Sequence, residues 1–293
     1  MKKSSLTHGR IALAAGLAVV LILAAGATFA GSPAAAAAAA SVTLEYKMPS
    51  GQVLRYQTKE DQRQIIDMMG QVVESTSSSA SKFSVQSKGR QDKNHLLGVT
   101  IDEMTINISG MQGDMSPDMA PVLGKGFDMV LSPLGVEVDV SGAKALTYDS
   151  ADGTRNLSSG FKVFFPDLPG KPVKVGDTWP TKYTIEEQTD SVDIRIDIDS
   201  VNTLDGFETV DGMECARITA KNTGTITGTG SQQGQELQFS GTLTGTDTWF
   251  FAVKEGLYVG SKGESGGDMT IAVAGMTIPA TQTITSEIKL VGK

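Results

Sequence analysis

From residue 42 onward, apolar and polar residues alternate with a period of two, the mark of strands with one buried and one wet face. Val42, Leu44 and Tyr46 begin the pattern; Pro49, Ser50, Gly51 and Gln52 then offer a turn, so residues 53–58 are expected to run back as the second arm of an opening hairpin. Ile65, Met69 and Val72 have helical spacing, but the serine run at 75–81 is poor helix material, which favours two long strands turning near Gly70. Residues 82–87 and 96–108 alternate again, with a turn at 89–94. Ser116 followed by Pro117 reads as an N-cap and first helical residue, predicting a short helix over 117–123 that Gly124 ends.

Phe127, Met129 and Leu131, the turn at 132–135, and then Val136, Val138 and Val140 predict a hairpin with apolar residues on both arms. Trp249, Phe251 and Val253, a turn at 254–256, and Leu257 and Val259 predict a second one late in the chain. Between them Val192, Ile194, Ile196 and Ile198 alternate with Asp193, Arg195, Asp197 and Asp199. Asp211 and Gly212 turn into Ala216, Ile218 and Ala220. The Gly/Thr-rich arms at 223–230 and 237–249 suggest loosely specified register and an edge position. Met269, Ile271 and Val273, then Ile284, Ile288 and Leu290, supply a last strand pair.

One stretch breaks the alternation. Residues 164–180 contain Pro166, Pro169, Pro172 and Pro180, which fix φ and withhold amide donors, so this segment is extended connector rather than helix or central strand. Phe164, Phe165 and Leu168 can anchor it in a core. Val173 and Val175 alternate, and Gly176 with Asp177 turns the chain toward Trp179. The segment separates two related hairpin-rich lobes, 42–160 and 180–293.

The N-terminus is of a different kind. Lys2, Lys3 and Arg10 precede an uncharged apolar stretch that ends in Ala27, Thr28, Phe29 and Ala30, the layout of a signal peptide over residues 1–30. The stretch is also just long enough for an uncleaved signal anchor. Residues 31–41, with seven consecutive alanines, form a spacer before the β-rich domain at 42–293. Either reading places the domain outside the cytoplasm, periplasmic or extracellular, with membrane contact only through an uncleaved signal. Loss of Lys2, Lys3 and Arg10 moves the formal charge from −8 to −11, which argues against nucleic acid as a partner. The single cysteine, Cys215, can form no internal disulfide, so the fold depends on its apolar core.

Candidate chemistry is sparse. His95 stands at the start of a strand and reads as an exposed or hydrogen-bonded turn histidine rather than a catalytic base; Cys215 lies inside a strand and reads as a buried small side chain. No spacing suits zinc, no phosphate loop precedes a helix, and no catalytic residue, metal or cofactor is assigned. The acidic set Asp190, Asp193, Asp197 and Asp199 fits the wet face of a strand. The compositional oddity is methionine: seven of twelve fall between Met68 and Met129. Met104, Met111, Met115, Met119 and Met129 are the candidate ligand-binding residues, as an adaptable apolar surface, with Cu(I) ligation and plain core packing as the competing readings.

The segment Phe165-Pro166-x-Leu168-Pro169, followed by Pro172-Val173-x-Val175-Gly176-Asp177-Thr178-Trp179, resembles one carried by exported bacterial β-rich proteins. At the level of architecture the chain is similar to LolA- and LppX-like half-barrel envelope carriers, which implies a curved sheet with an apolar concave face. The fold expected is mainly β: a large curved antiparallel meander sheet or half-barrel with one or two short helices. The function expected is non-enzymatic binding or carriage of a lipid or other apolar or amphiphilic ligand. The alternative is a structural or assembly component of the cell envelope that binds a protein partner.

Overall fold

The computed structural model describes residues 41–293 apart from 69, 111–112, 151–152 and 233. The expectations for the signal and for Met111 lie outside the described residues. Fourteen strands are described: β1 (Val53–Met68), β2 (Gln71–Gln91), β3 (Asn94–Gly110), β4 (Gly113–Met115), β5 (Gly126–Leu131), β6 (Glu137–Asp139), β7 (Thr147–Ser150), β8 (Gly153–Asn156), β9 (Thr178–Gln188), β10 (Val192–Val210), β11 (Met213–Gln232), β12 (Gln235–Ala252), β13 (Leu257–Val273) and β14 (Met276–Gly292). A 3-10 turn at Ser141–Ala145 and the single-turn helix α1 (Ser158–Phe161) complete the described elements.

Twelve strands form one open antiparallel sheet in the order β6-β5-β3-β2-β1-β14-β13-β12-β11-β10-β9, with β4 paired to β3. This is the curved meander the alternation implies. Apart from β3 to β5, which passes over the short β4, every step joins neighbours in sequence except β1 beside β14. There the two ends of the domain meet in register from Tyr56 opposite Leu290 to Ile66 opposite Ala280. The long strands β1 and β2 run 16 and 21 residues, which at about 3.3 Å per residue makes them roughly 50 to 70 Å long. Glycines on the inward face allow the sheet to curl. A Cβ at Gly228 would stand 2.5 Å from the Asp193 carbonyl oxygen of the adjacent strand, so a side chain there would push β11 off β10.

The inward face is apolar at both ends. At one end Leu54, Tyr56, Phe83, Leu97, Trp249, Phe251, Tyr258 and their neighbours are buried under residues 157–173, which cross the mouth of the sheet between its edges β6 and β9. At the other end Ile66, Ile194, Ile196, Phe239, Leu243, Ile271 and Ile284 pack against each other across the curled sheet.

The proline segment is therefore a plug as well as a connector. Phe164, Phe165, Leu168, Val173 and Trp179 are buried. Phe164 meets Phe165, Tyr56, Phe83 and Tyr258 edge-on, with centroids 4.9 to 5.8 Å apart. Its backbone is tied down: the Phe165 amide donates to Glu137 Oε1 at 2.8 Å, the Tyr46 hydroxyl to Pro166 O at 3.0 Å, Trp179 Nε1 to Asp167 O at 3.2 Å, and the Leu168 amide to Leu134 O at 2.7 Å. Pro169 follows Leu168 half-buried at the rim. The Gly176 amide donates to Leu204 O at 2.8 Å and the Leu204 amide to Asp177 O at 3.0 Å, which fixes the turn into β9. Val175, expected to share a face with Val173, is exposed because that turn begins at Lys174.

Several local expectations are corrected. Residues 42–48 do not pair with β1: Val42 bridges Val173, and the Tyr46 and Lys47 amides donate to Pro133 O and Gly256 O, both at 2.9 Å, so this arm crosses the plugged end and buries Leu44, Tyr46 and Met48. Two neighbours already occupy both edges of β1. The helix over 117–123 is a set of turns. Ser116 Oγ donates to Asn107 Oδ1 instead of capping, Asp118 draws in the Ala120 amide, and Gly124 at φ +69° closes the turn. The Gly/Thr-rich arms are not edges, since β11 and β12 are each paired on both sides.

Candidate functional site

The site grows out of a row of directly opposed residues that runs round the inside of the sheet at mid-height. Trp179 faces Asn202, then Ala220, Asp247, Gly263, Ser286, Glu60, Ser79 and Ile106 follow on successive strands. The next row away from the plug is Ser200, Asn222, Gly245, Ser265, Ile284, Gln62 and Ser77. Between two apolar ends lies a polar girdle. Most of these polar side chains are buried, with Gln62 4% and Asn222 6% exposed, and Gln64, one row further on opposite Gln282, is 2% exposed. Gln62 Nε2, Gln64 Nε2, Asn222 Oδ1 and Ser265 Oγ have no hydrogen-bond partner among the described residues. Native interiors leave few such atoms, and a cluster of them marks a place where something polar belongs.

Where the girdle meets the plug, two cavities share one wall. The first, about 80 Å³, is apolar: Phe83, Ile101, Met104 and Ile106 of β2 and β3 face Leu157, Phe161 and Phe164. Arg155 and Glu187 stand at its margin, 3.9 Å apart and largely buried, so β8 is linked to β9 across the seam of the sheet. The second, about 90 Å³, is polar and aromatic. Asn202, Asn222, Asp247, Trp249, Tyr258 and Ser261 form its floor; Phe164, Phe165, Asp167 and Glu137 form its roof; Tyr183 stands at its side. Phe164 belongs to both cavities.

Within the polar cavity Asn222 Nδ2 donates to Asp247 Oδ2, Tyr258 Oη to Ser261 Oγ at 2.7 Å, and Asn202 Nδ2 to Thr181 Oγ1 at 3.1 Å. Burial pushes the Asp247 carboxyl up to about 7, against which the Asn222 bond is the smaller, opposing influence. Burial likewise raises Asp167 to about 6 and lifts Glu137 well above the usual carboxylate range, opposed there by the backbone amides it accepts. Among the described residues no basic side chain offsets the burial at any of the three. Lys162 lines the cavity, but its ammonium lies 3.6 Å from Glu186 at the exposed side.

The alternation misplaces Glu137. The pairing of β5 with β6 slips between Val130 and Leu131, which sets Glu137 opposite Leu131 and turns Val136 and Val138 outward, 50% and 55% exposed. A one-residue slip exchanges the faces of a strand.

The candidate methionines are dispersed. Met104 lines the apolar cavity, Met119 and Met129 are buried in the core of the plugged end, and Met115 lines an open polar groove of about 780 Å³ with Asp61, Arg63 and Ser109. His95 is buried, bonded to Tyr46 O over 3.1 Å through Nε2, and held below its usual pKa by burial. Cys215 is fully buried and its thiol is pushed up to about 11, so it is a packing residue. Asp197 and Asp199 sit on the wet face, paired with Arg195 at 2.6 Å and Lys182 at 2.5 Å. Among the described residues no three His, Cys, Asp or Glu side chains gather as a metal site, and no helix is long and apolar enough to cross a membrane.

No family model matches the chain, and neither does any curated protein. Among solved structures it is similar to Pseudomonas aeruginosa OccK2 (OpdF), at 7% identity over 85% of this chain and 100% of that one, with a TM-score of 0.27. Pseudomonas aeruginosa OpdQ matches at 9% identity over 82% and 99%, with a TM-score of 0.24. A DUF1329 family protein from Desulfovibrio piger matches at 12% identity over 81% and 87%, with a TM-score of 0.16. Scores at this level reflect long antiparallel strands rather than a common fold.

Proposed function

We propose that this chain is a non-enzymatic binding or carrier protein of the cell envelope whose ligand is amphiphilic and occupies the inward face of the sheet. The observation that carries the reading is the pair of cavities on either side of Phe164, one lined by Phe, Ile and Met, the other by carboxyls, amides and hydroxyls. An amphiphile has the same two-part chemistry. Each cavity alone is small, so the tail enters as the Phe164 ring moves aside and the aromatic plug residues stand in for it when no ligand is bound. The signal-like N-terminus and the resemblance to half-barrel carriers support the location. A titration with a dansyl-labelled fatty alcohol, read by fluorescence, tests the proposal. Saturable 1:1 binding is expected, weakened at least tenfold by Gly160→Trp, which fills the apolar cavity. Equal binding by both proteins, or none by either, would sink it.

A second reading, an envelope assembly component, is favoured by one feature. Val138 is exposed on the edge strand β6, and Leu134 and Val136 are exposed in the turn that leads into it. A partner strand would add there rather than at residues 223–248. Crosslinking from residue 138 in intact cells tests it, and a failure to capture any protein would count against it.

A further inference from the structure

The polar cavity has two features that the girdle as a whole lacks. It gathers three carboxyls, Glu137, Asp167 and Asp247, from β6, the plug and β12, and it walls them with the rings of Phe164, Phe165, Tyr183, Trp249 and Tyr258. Asp247 is buried and Glu137 and Asp167 are half-buried; carboxyls withdrawn from water ordinarily pair with a cation, and these have none among the described residues. Aromatic faces attract cations as well, most strongly when the site is dry. Asn222, 6% exposed, adds an independent sign: its Oδ1 has no partner and lines the same cavity, the negative end of an amide dipole that a primary ammonium would meet by a hydrogen bond and a quaternary one by ion–dipole attraction.

We propose that this cavity receives the ammonium group of a cationic amphiphile, primary or quaternary, with Asp247 as its principal counter-charge and Trp249 and Tyr258 as its aromatic wall. The inference rests on the amphiphile-binding reading and names the head group that reading leaves open. A cavity of about 90 Å³ takes a group the size of a trimethylammonium and is too small for a sugar ring, while its three carboxyls disfavour the like charge of a phosphodiester. With one ammonium in place, a carboxylate gains the pairing that burial otherwise denies it.

The test uses tryptophan fluorescence, since the chain has two tryptophans and Trp249 lines the cavity. The probes are dodecyltrimethylammonium, dodecylamine, dodecanol and dodecyl sulfate, each below its micelle concentration, at pH 8. At least one ammonium probe is expected to bind ten or more times tighter than dodecanol, and dodecyl sulfate more weakly than dodecanol. Asp247→Asn should reduce ammonium affinity at least tenfold while changing dodecanol affinity less than twofold, with an unchanged circular dichroism spectrum. Ammonium probes that bind no tighter than dodecanol, or a preference that survives in both Asp247→Asn and Glu137→Gln, would overturn the head-group assignment and leave amphiphile binding standing. If none of the four probes binds, both the assignment and the reading beneath it fail.

Discussion

Asp247→Asn should stabilise the protein at high pH and leave it nearly unchanged at low pH. The Asp247 carboxyl is buried in the native state and titrates near 7 there, against an ordinary value of 3.8 in the unfolded chain. Between those values the native state binds more protons than the unfolded one, so stability falls as pH rises from about 4 to about 7. Three pH units at 1.36 kcal/mol each make the full cost about 4 kcal/mol above pH 7, an order-of-magnitude figure. An asparagine has the same shape and nothing to deprotonate, and its side-chain oxygen can accept the bond Asn222 now gives to the carboxylate. Urea unfolding of both proteins at pH 4, 6 and 8 is the assay. The variant should be more stable by up to about 4 kcal/mol at pH 8 and should differ by no more than about 1 kcal/mol, one hydrogen bond, at pH 4. A difference that does not change with pH would refute the reasoning, because only titration of a buried acid produces the slope.

Trp179→Ala should cost roughly 3 to 5 kcal/mol in urea unfolding, since the ring is buried against Trp249 and bonded to the plug at Asp167 O; an unchanged midpoint would show that the plug is held elsewhere. Phe164→Ala should cost a similar amount, about 3 to 5 kcal/mol, while joining the two cavities and raising the affinity for fatty alcohol, and a loss of both stability and binding would contradict the ring's role as a removable wall. Gly228→Ala should destabilise by about 1 to 3 kcal/mol, because its Cβ meets the Asp193 carbonyl at 2.5 Å, and no change on thermal unfolding would mean the curl of the sheet is not limited there.

The long strands are legible in the sequence because period-two alternation, sustained over so many residues, fits a half-buried strand and little else. Val192 to Ile198 point to the inward face of β10, and Gly70 to a real turn, because burial on one face and turn chemistry act locally. Pairing partners are less accessible. Leu44 and Tyr46 alternate like a hairpin arm, yet β1 takes β14 and β2 as neighbours, and its pairing with β14 joins residues more than 200 positions apart in the chain. Glu137 and the exposed Val136 and Val138 show the same limit at smaller scale, where one slip in register reverses a strand. The girdle does leave a trace in the sequence: Glu60, Gln62 and Gln64 occupy positions where the alternation of β1 calls for apolar residues, as do Asn202, Asn222 and Asp247 on their strands. Polar residues at inward positions of several successive strands are a signal of a buried site. Methionine is the louder signal in composition, yet Met104 alone among the four described candidates lines a cavity at the plug.

The most direct measurement of the central claim is native mass spectrometry of the protein released gently from the cells that make it. The expected spectrum shows a discrete adduct of amphiphile mass at one copy per chain, lost after organic extraction and recovered in the organic phase as a molecule with an apolar tail and a cationic head. A protein that carries its bare mass in every charge state, and whose extract holds no amphiphile above that of an unrelated exported control, would contradict the account.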